Sequence, residues 1–255
     1  MQARVQDVEG SVNLRDFGGY RSSLGPQIKT GLLFRSGTLA YLTDRGKEQF
    51  HELGIELICD LRRPDEKEHE PTTLERPARL EIPIDPGSAV ELREKIAQGI
   101  EFQERVAFMT ALTGELPRDH KEDYATMFDG LLGMQSGGFL VHCSAGKDRT
   151  GFACALIQHA LGVPQETVIR DYMLTNEVID YEGFILPRLV KNYEADELPD
   201  KDTIMTIAGV RQEYLSAAYQ AIEAEFEHVE HYLHEALDVG PEALKQLRQR
   251  YLEEA

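Results

Sequence analysis

The amino-acid sequence predicts an α/β fold, in which helices flank a sheet and a helical extension forms the C-terminus. Two patterns predict it: short apolar runs that end in polar residues, and intervening segments with helical periodicity and helix-end residues. A length of 255 residues with 42% hydrophobic content is enough to bury a core, so we expect a single domain over 1–255. Binding sites in such folds lie at the carboxyl ends of the strands.

Four short apolar runs are the candidate strands. They are GLLFR at 31–35, IELICDL at 55–61, LEIPI at 80–84 and GFLVHC at 138–143. Short runs of this kind, bounded by turn or polar residues, are typical of buried strands. The last run ends at Cys143, so this cysteine is predicted to lie at a carboxyl end of the sheet.

Helix-end residues mark the segments between the strands. Thr43 is placed to cap the helix TDRGKEQFHELG, which Gly54 ends. Pro164 stands in the first turn of PQETVIRDYMLTNE, directly after Gly162 closes the preceding helix. We therefore expect helices on the faces of the sheet.

The C-terminal segment, 203–255, is predicted to form helices that pack on the domain. From Leu215 to Ala236, apolar residues recur at spacings of four and three, with glutamates between them. The pattern predicts one long amphipathic helix, and its short length favours packing against the core over a coiled coil with a partner. Gly240 and Pro241 then begin a final short helix.

The segment 86–115 has helical periodicity, with apolar positions at Leu92, Ile96, Ile100, Val106 and Met109. Two interpretations are open. The segment is either a helical connection that covers one sheet edge, which is the simpler hypothesis, or a helical lid over the site.

Composition excludes several classes of function. The formal net charge of -18 disfavours binding to nucleic acid and to anionic lipid. The first residues lack the basic start and apolar core of a signal peptide, and no run reaches the roughly 18 apolar residues of a membrane span. Three cysteines without a CxxC pair fit a reducing compartment. We expect a cytoplasmic protein without stable membrane insertion, and its oligomeric state stays open.

The residues suited to chemistry concentrate in VHCSAGKDRTG at 141–151. A cysteine is nucleophilic only as a thiolate, which near neutral pH needs positive potential around it. Because a strand ends at Cys143 and a helix begins near Arg149, the intervening backbone N–H groups can curl around one point at the helix N-terminus. We predict a site there for a tetrahedral oxyanion, formed by Ser144, Ala145, Gly146, Lys147, Asp148 and Arg149.

The side chains of this segment have separate predicted roles. Arg149 can hold two phosphate oxygens with its planar guanidinium, which a lysine cannot do. Thr150 either donates to the Cys143 thiolate or caps the helix. His142 points to the opposite strand face, and it either tunes the thiolate or is a buried histidine bonded to the backbone, which is slightly favoured. Lys147 either binds a further substrate phosphate or is a solvated loop lysine.

The segment HCSAGKDRTG resembles the HCxxGxxR[ST] signature of cysteine-dependent tyrosine and dual-specificity phosphatases. Its GKDRTG form is similar to the bacterial and fungal tyrosine/serine phosphatase family, some of whose members also act on phosphoinositides. Further motifs stand in the order of that family and extend the resemblance over essentially the whole chain: NLRDFGGY at 13–20, FRSG at 34–37, LTDRG at 42–46, DLRRPDE at 60–66, DYMLTNE at 171–177 and GVRQEYL at 209–215.

The resemblance implies the protein-tyrosine-phosphatase fold and a two-step phosphate monoester hydrolysis that needs no metal and no cofactor. Cys143 would form a phosphocysteine, and Arg149 with the loop amides would hold the phosphate oxygens. The implied partner is a phosphoprotein carrying phosphotyrosine, with phosphoserine, phosphothreonine and phosphoinositide esters as further candidate substrates.

The general acid stays open in the sequence. Many members of the wider superfamily have an aspartate in a Trp-Pro-Asp motif, but this chain has no tryptophan. The resemblance to the narrower family favours Asp148, whose alternative role is to stabilise the helix dipole. Asp60 in DLRRP comes next, and Asp119 and Asp123 are more loosely placed.

Four arginines lie in loops next to the predicted strands: Arg15, Arg35, Arg62 and Arg63. One or two of them can add positive charge to the pocket, but ordinary surface pairing is the simpler prediction for any one. The nearby residues Asn13, Asp16, Gly18 and Gly19 are interpreted as turn residues.

Two other kinds of site do not fit the sequence. A Walker A loop would need glycine at 141 and Ser or Thr at 148, where this chain has Val141 and Asp148. A zinc site built from His142 and Cys143 lacks spaced ligand pairs, so we predict no metal. The remaining alternative is a noncatalytic phosphate-binding module. Cys143 argues against it, because binding alone requires no thiol.

Overall fold

The computed structural model describes residues 4–86, 101–190 and 200–254. Its strands are β1 Arg15–Asp16, β2 Leu33–Ser36, β3 Ile55–Asp60, β4 Ala78–Glu81 and β5 Gly138–His142. They form one sheet in the order β1-β2-β5-β3-β4. β1 is antiparallel to β2, and the other neighbours are parallel. The predicted α/β fold is confirmed.

Helices flank this sheet. They are α1 Asp44–Glu52, α2 Pro64–His69, α3 Phe102–Asp119, α4 Lys121–Gly133, α5 Asp148–Ala160, α6 Gln165–Met173, α7 Thr175–Val178, α8 Leu186–Val190, α9 Lys201–Ala208, α10 Gln212–Phe226, α11 Val229–His231 and α12 Pro241–Tyr251. Two π-helical turns, Tyr181–Ile185 and Tyr232–Ala236, precede α8 and α12. Across the described ranges, the helices are too short or too polar to span a bilayer.

The hydrophobic core lies on both faces of the sheet, because successive side chains of a strand alternate in direction. On β5, Phe139 and Val141 join a large cluster with α4, α5, α10 and α12. Leu140 points the other way, into a smaller cluster that includes Phe50 of α1. All three β5 side chains are fully buried, as in a central parallel strand. β5 is the central strand, so Cys143, which follows its carboxyl end, lies midway between the two edges of the sheet.

The strand predictions differ from the structure mainly at the two sheet edges. The run predicted as a strand at 80–84 pairs with β3 only through Ala78–Glu81. Beyond it, Ile82 and Ile84 are buried, and their N–H groups donate to Asp60 O and Leu61 O. The apolar pattern therefore reported burial rather than strand pairing. β1 escaped prediction because it is two charged residues long.

The helix ends predicted from capping residues are confirmed at α1 and at the start of α6. Thr43 Oγ1 accepts the Gly46 N–H at 3.0 Å, and Gly54 ends α1 with a φ of 64°. Pro164 directly precedes α6, after Gly162 at a φ of 78°. The predicted helix over 164–177 is interrupted, because α6 ends at Met173 and α7 begins at Thr175.

The single helix predicted between Leu215 and Ala236 is wrong, because the chain breaks at Glu227. This residue has a φ of 64° and separates α10 from α11. The break lets Tyr232 pack edge-on against Phe226 at 5.2 Å and donate its hydroxyl to Pro117 O at 3.0 Å. The apolar periodicity predicted which residues face the core. Tertiary packing decided that the helix breaks at Glu227.

The described part of the segment 86–115 is a packed helix. Residues 102–115 belong to α3, which extends to Asp119, and Met109 and Leu112 are buried. α3 packs closely on α10, since a Cβ on Gly114 would lie 3.7 Å from Ala217 Cβ. The remaining predicted positions, Leu92, Ile96 and Ile100, lie outside the described residues.

Candidate active site

The loop between β5 and α5 is the candidate site, and we call residues 143–149 the anion loop. Cys143 begins it, is 2% exposed and follows the end of β5, while Asp148 and Arg149 form the first turn of α5. Gly146 has a φ of 69°, and a Cβ there would lie 2.4 Å from Ser36 O. Only glycine fits this conformation and this close approach to β2.

Residues behind the anion loop hold its carbonyl oxygens. Asn13 Nδ2 donates to Gly146 O at 2.9 Å and to Ala145 O at 3.2 Å. Arg35 Nη2 also donates to Gly146 O, at 2.9 Å, and the Thr38 N–H donates to Ser144 O at 2.8 Å. The acceptors of the loop are thereby occupied by the protein.

The N–H groups of the same loop have no such partners. Within the described ranges, no protein group accepts from the backbone N–H groups of Ser144 to Arg149. A buried donor without an acceptor costs about 1–3 kcal/mol, so a run of them at a helix N-terminus is suited to an anion. The loop therefore has the polarity of the predicted oxyanion site.

A buried ionic network supports the loop from below. Asp171 Oδ2 accepts from Arg35 Nη1 at 3.1 Å, and Asp171 Oδ1 accepts from Tyr20 OH at 3.0 Å. Arg15 donates to the Asp171 carbonyl at 3.1 Å and to Asn13 Oδ1. Both residues that hold the Gly146 carbonyl, Asn13 and Arg35, are therefore fixed directly or indirectly by Asp171.

The prediction of surface pairing is wrong for three of the four arginines. Arg15, Arg35 and Arg62 are almost completely buried, and only Arg63 forms the expected outer pair, with Asp65 at 2.9 Å. Asn13 also does more than form a turn. A rule that places every charged residue at the surface misses these buried arginines. The sequence signal for these residues was their place in the motifs NLRDFGGY, FRSG, DLRRPDE and DYMLTNE.

Arg149 is held by a carboxylate and two backbone carbonyls. Glu66 accepts from Nη1 and Nη2, each at 2.7 Å, and Leu61 O and Ile84 O accept from Nη1 at 3.1 Å. Burial alone would lower the pKa of Arg149, but its proximity to Cys143 and its hydrogen bond to Glu66 raise it. The sequence had assigned no role to Glu66, although it lies in the DLRRPDE motif.

Asp60 lies in a buried ion pair. Its carboxylate accepts from Arg62 Nε at 2.9 Å and Nη2 at 2.7 Å, and it lies 3.5 Å from His142 Nε2. Burial would raise the pKa of Asp60, but His142 and Arg62 lower it well below its usual range. The ring of His142 also places Nδ1 3.3 Å from the Cys143 carbonyl oxygen. His142 thus contacts the backbone of Cys143 rather than its sulfur.

The other predicted site residues lie close to the loop in different environments. Asp148 Oδ2 lies 3.0 Å from Lys147 Nζ, while Asp148 Oδ1 is buried without a partner in the described residues. Lys147 is not the solvated lysine considered above, because it is buried and donates to the carbonyls of Ile207 and Gly209. Thr150 Oγ1 is buried, and the described chain provides it no hydrogen bond, so a bond to the sulfur is not seen.

The two more distant candidate acids do not share this environment. Asp119 is exposed at the end of α3. Asp123 pairs with His120 Nδ1 at 2.8 Å on α4.

The two other cysteines lie in the apolar core. Burial raises the pKa of Cys59, and it raises the pKa of Cys154 to about 12 although Arg35 lowers it. Both thiols are therefore protonated at neutral pH. Only Cys143 is next to unpaired N–H groups and a guanidinium.

A surface group with metal-ligand residues lies at the helix break. Glu227, His228 and His231 bring possible ligand atoms within 4.8 Å of one another. All three residues are exposed, and such groups are common in proteins without an ion. It is separate in sequence from the anion loop.

The chain is similar to tyrosine phosphatases over most of its length. A family model described as the tyrosine phosphatase family matches residues 6–253. A Cupriavidus necator protein, named as a candidate tyrosine-protein phosphatase, is 32% identical over 246 residues, which cover 94% of this chain and 85% of that protein. The triple specificity protein phosphatase PtpB of Mycobacterium tuberculosis is 27% identical over 267 residues, covering 91% of this chain and 94% of PtpB.

A solved structure of P. aeruginosa TpbA covers 78% of this chain and 97% of its own, with a TM-score of 0.31 and 14% identity. The family model, by contrast, matches nearly the whole sequence. The chain therefore belongs to the tyrosine phosphatase family, a family of enzymes.

Proposed function

We propose that this phosphatase hydrolyses phosphate monoesters through a phosphocysteine on Cys143. One observation carries the proposal: the N–H groups of Ser144 to Arg149 have no acceptor in the described protein, directly beside a cysteine at the end of β5. An array of preorganised donors stabilises the charge that develops on phosphate oxygens during transfer.

In the first step, the Cys143 thiolate attacks phosphorus, a sulfur–phosphorus bond forms, and the bond to the ester oxygen breaks. The loop amides and Arg149 hold the three non-bridging oxygens. Glu66 supports this by fixing two nitrogens of the guanidinium at 2.7 Å each. Because a planar guanidinium can bind two oxygens at once, Arg149 can follow them as the phosphoryl group moves.

Asp148 is the proposed general acid. The leaving oxygen needs a proton from a neutral carboxyl group within reach. Asp60 is poorly suited, since its lowered pKa keeps it ionised and its oxygens are occupied by Arg62. Asp148 lies within the anion loop and has one carboxyl oxygen without a partner in the described structure.

In the second step, water attacks the phosphocysteine. The Asp148 carboxylate takes a proton from this water, a new oxygen–phosphorus bond forms, and the sulfur–phosphorus bond breaks. Phosphate leaves, and the Cys143 thiolate and the protonated Asp148 are restored. No metal is needed in either step, and we propose that none is used.

The proposed substrates are phosphotyrosine first, and phosphoserine, phosphothreonine and phosphoinositide esters in addition. The family description supports phosphotyrosine. The likeness to a protein named for triple specificity supports a range wider than phosphotyrosine. We further propose that 1–255 is one domain, since the family model spans 6–253 and one hydrophobic cluster extends from Phe17 to Leu252.

The test is hydrolysis of a chromogenic aryl phosphate in excess EDTA by the wild type and by Cys143→Ser. We expect the wild type to be active and the variant to lose at least about 1,000-fold in kcat, because a hydroxyl is a poor nucleophile here. Rapid acid quench of the wild type should trap phosphate on Cys143. An inactive wild type that still binds a phosphotyrosine peptide would instead support the noncatalytic module.

Substrate range is measured by comparing kcat/KM for a phosphotyrosine peptide, a phosphoserine peptide and an inositol phospholipid. We expect the tyrosine peptide to be hydrolysed fastest. Equal values for all three would contradict a preference for tyrosine, and activity on the tyrosine peptide alone would contradict the wider range.

A further inference from the structure

A cavity of about 340 Å³ lies beside the anion loop. Its lining includes Val12 and Asn13 from the segment before β1, and Phe184 and Arg188 from the turn into α8. Tyr41 contributes to its lining as well. A volume of this size is within the range of sites that enclose small ligands or side chains.

The walls of this cavity contact the anion loop directly. Asn13 donates to the carbonyls of Ala145 and Gly146, and Arg188 Nη2 donates to Ser144 Oγ at 3.3 Å. An extended peptide advances at most about 3.6 Å per residue, so a cavity whose lining contacts the loop is within reach of the residues that flank a phosphorylated residue bound there.

The lining favours an apolar occupant. Phe184 packs edge-on against Tyr41 at 6.2 Å, and Tyr41 is 42% exposed, one of few large apolar side chains that are exposed in the described structure. Tyr41 gives the cavity an aromatic side that is accessible from solvent, and Phe184, which is 7% exposed, packs against it. Aromatic rings of this kind are common anchors for side chains of a partner.

The charges at the cavity disfavour an acidic occupant. Arg188 lies over the Phe184 ring at 4.3 Å and forms an ion pair with Glu70, so a carboxylate already balances its charge. Asp180 adds a further carboxylate to the lining. A negatively charged side chain entering this space would meet like charge without a gain in pairing.

We propose that this cavity binds a large apolar side chain next to the phosphorylated residue of a protein substrate. The proposal rests on the phosphatase function proposed above and names the feature by which the enzyme selects among phosphoproteins. Tyr41 and Phe184 contact the neighbouring side chain, and Asp180 repels acidic ones.

The test uses phosphotyrosine peptides that are identical except for Phe, Ala or Glu at one neighbouring position, scanned over two residues on each side. At one position or more, we expect kcat/KM to be about tenfold higher with Phe than with Ala, and lower still with Glu. Tyr41→Ala should bring the Phe-to-Ala ratio close to one. Asp180→Asn, which keeps a capping side chain for Gly183, should reduce the penalty for Glu several-fold.

Leu24→Ala is the matched control, because Leu24 is also a large exposed apolar residue but is not part of the cavity lining. Its Phe-to-Ala ratio should equal that of the wild type. Equal kcat/KM for all peptides, or an unchanged ratio in Tyr41→Ala, would overturn this inference while leaving the phosphatase function intact. Absence of wild-type activity on an aryl phosphate, which has no neighbouring residue, would instead contradict the proposed function itself.

Discussion

Two buried cysteines lie on either side of the start of α5, and their surroundings differ. Cys154 is inside the helix, where backbone N–H groups are bonded within the helix, and its pKa is raised to about 12. Cys143 is equally buried but precedes the helix, beside N–H groups that have no acceptor in the described chain. Burial alone makes a thiol inert. The direction of the surrounding dipoles decides whether a buried thiol can be a nucleophile.

The difference depends on residues distant in sequence. Asn13 and Arg35 hold the carbonyls of the anion loop, and Asp171 holds Arg35. Arg35 and Asp171 lie near Cys154 as well, but this thiol is inside α5, where the neighbouring N–H groups are bonded within the helix. Damage to the anion loop should therefore make Cys143 behave like Cys154.

The largest effect is expected for Arg149→Lys. We expect kcat/KM on an aryl phosphate to fall by about 1,000-fold or more, because an ammonium cannot bind two phosphate oxygens in the plane of Glu66. Arg63→Lys, at the neighbouring outer pair with Asp65, is the control and should change kcat/KM by less than about threefold. Similar losses in both variants would show that charge near the loop, and not guanidinium geometry, is what matters.

Gly146→Ala should come next. Its Cβ would lie 2.4 Å from Ser36 O at a φ of 69°, so the loop must move, and we expect about a 100-fold loss of kcat together with slower alkylation of Cys143 by iodoacetamide. Gly133→Ala is matched, since a Cβ at Gly133 meets no atom within 4 Å in the described structure. An active Gly146→Ala variant would refute the claim that this close approach sets the direction of the amides.

Asp148→Asn should have an effect that depends on the leaving group. A p-nitrophenolate leaves without much help, so we expect a loss of about tenfold on that ester and of about 100-fold or more on an alkyl phosphate. Asp123→Asn, at another candidate acid, should affect both esters equally and only slightly. The measurement is kcat on a series of esters with different leaving-group pKa. An equal loss on every ester would show that Asp148 only stabilises the helix dipole and is not the general acid.

Asp171→Asn tests the support of the loop. It leaves the buried guanidiniums of Arg15 and Arg35 without their carboxylate, which should lower the free energy of unfolding by about 3 kcal/mol. Asp65→Asn removes the outer partner of Arg63 and should lower it by less than about 1 kcal/mol. Urea denaturation measures both values. We also expect an approximately tenfold lower kcat for Asp171→Asn at a temperature where it is folded. An unchanged kcat would show that the Asp171 network does not determine the geometry of the anion loop.

The smallest effect is expected at the second cysteine. Cys154→Ala should change kcat less than about threefold, because this thiol is not in the anion loop. Since its pKa is raised to about 12, Cys154 remains a thiol from pH 6 to 8 and should resist iodoacetamide over this range. Mass spectrometry of the alkylated protein should therefore find the label on Cys143 only. Labelling of Cys154 in the folded protein would remove the basis of the comparison.

The sequence by itself determined the central strand, the loop after it and the start of the following helix. An apolar run followed by Cys143, small residues and Arg149 specifies a strand end, a tight curl and a helix start, and all of these are local properties. Gly146 belongs to the same local signal. The helix caps at Thr43 and Pro164 were predictable for the same reason, because a cap acts within one turn.

Only the tertiary structure decided how the loop is supported. Arg35 and Asp171 are 136 positions apart and are fully buried, although charged residues are normally predicted at the surface. The ion pair of Glu66 with Arg149 and the helix break at Glu227 were likewise decided by tertiary structure. Sequence periodicity reports the local backbone and the apolar faces. It does not report which distant charges neutralise one another, because that pairing exists only once the chain has brought them together.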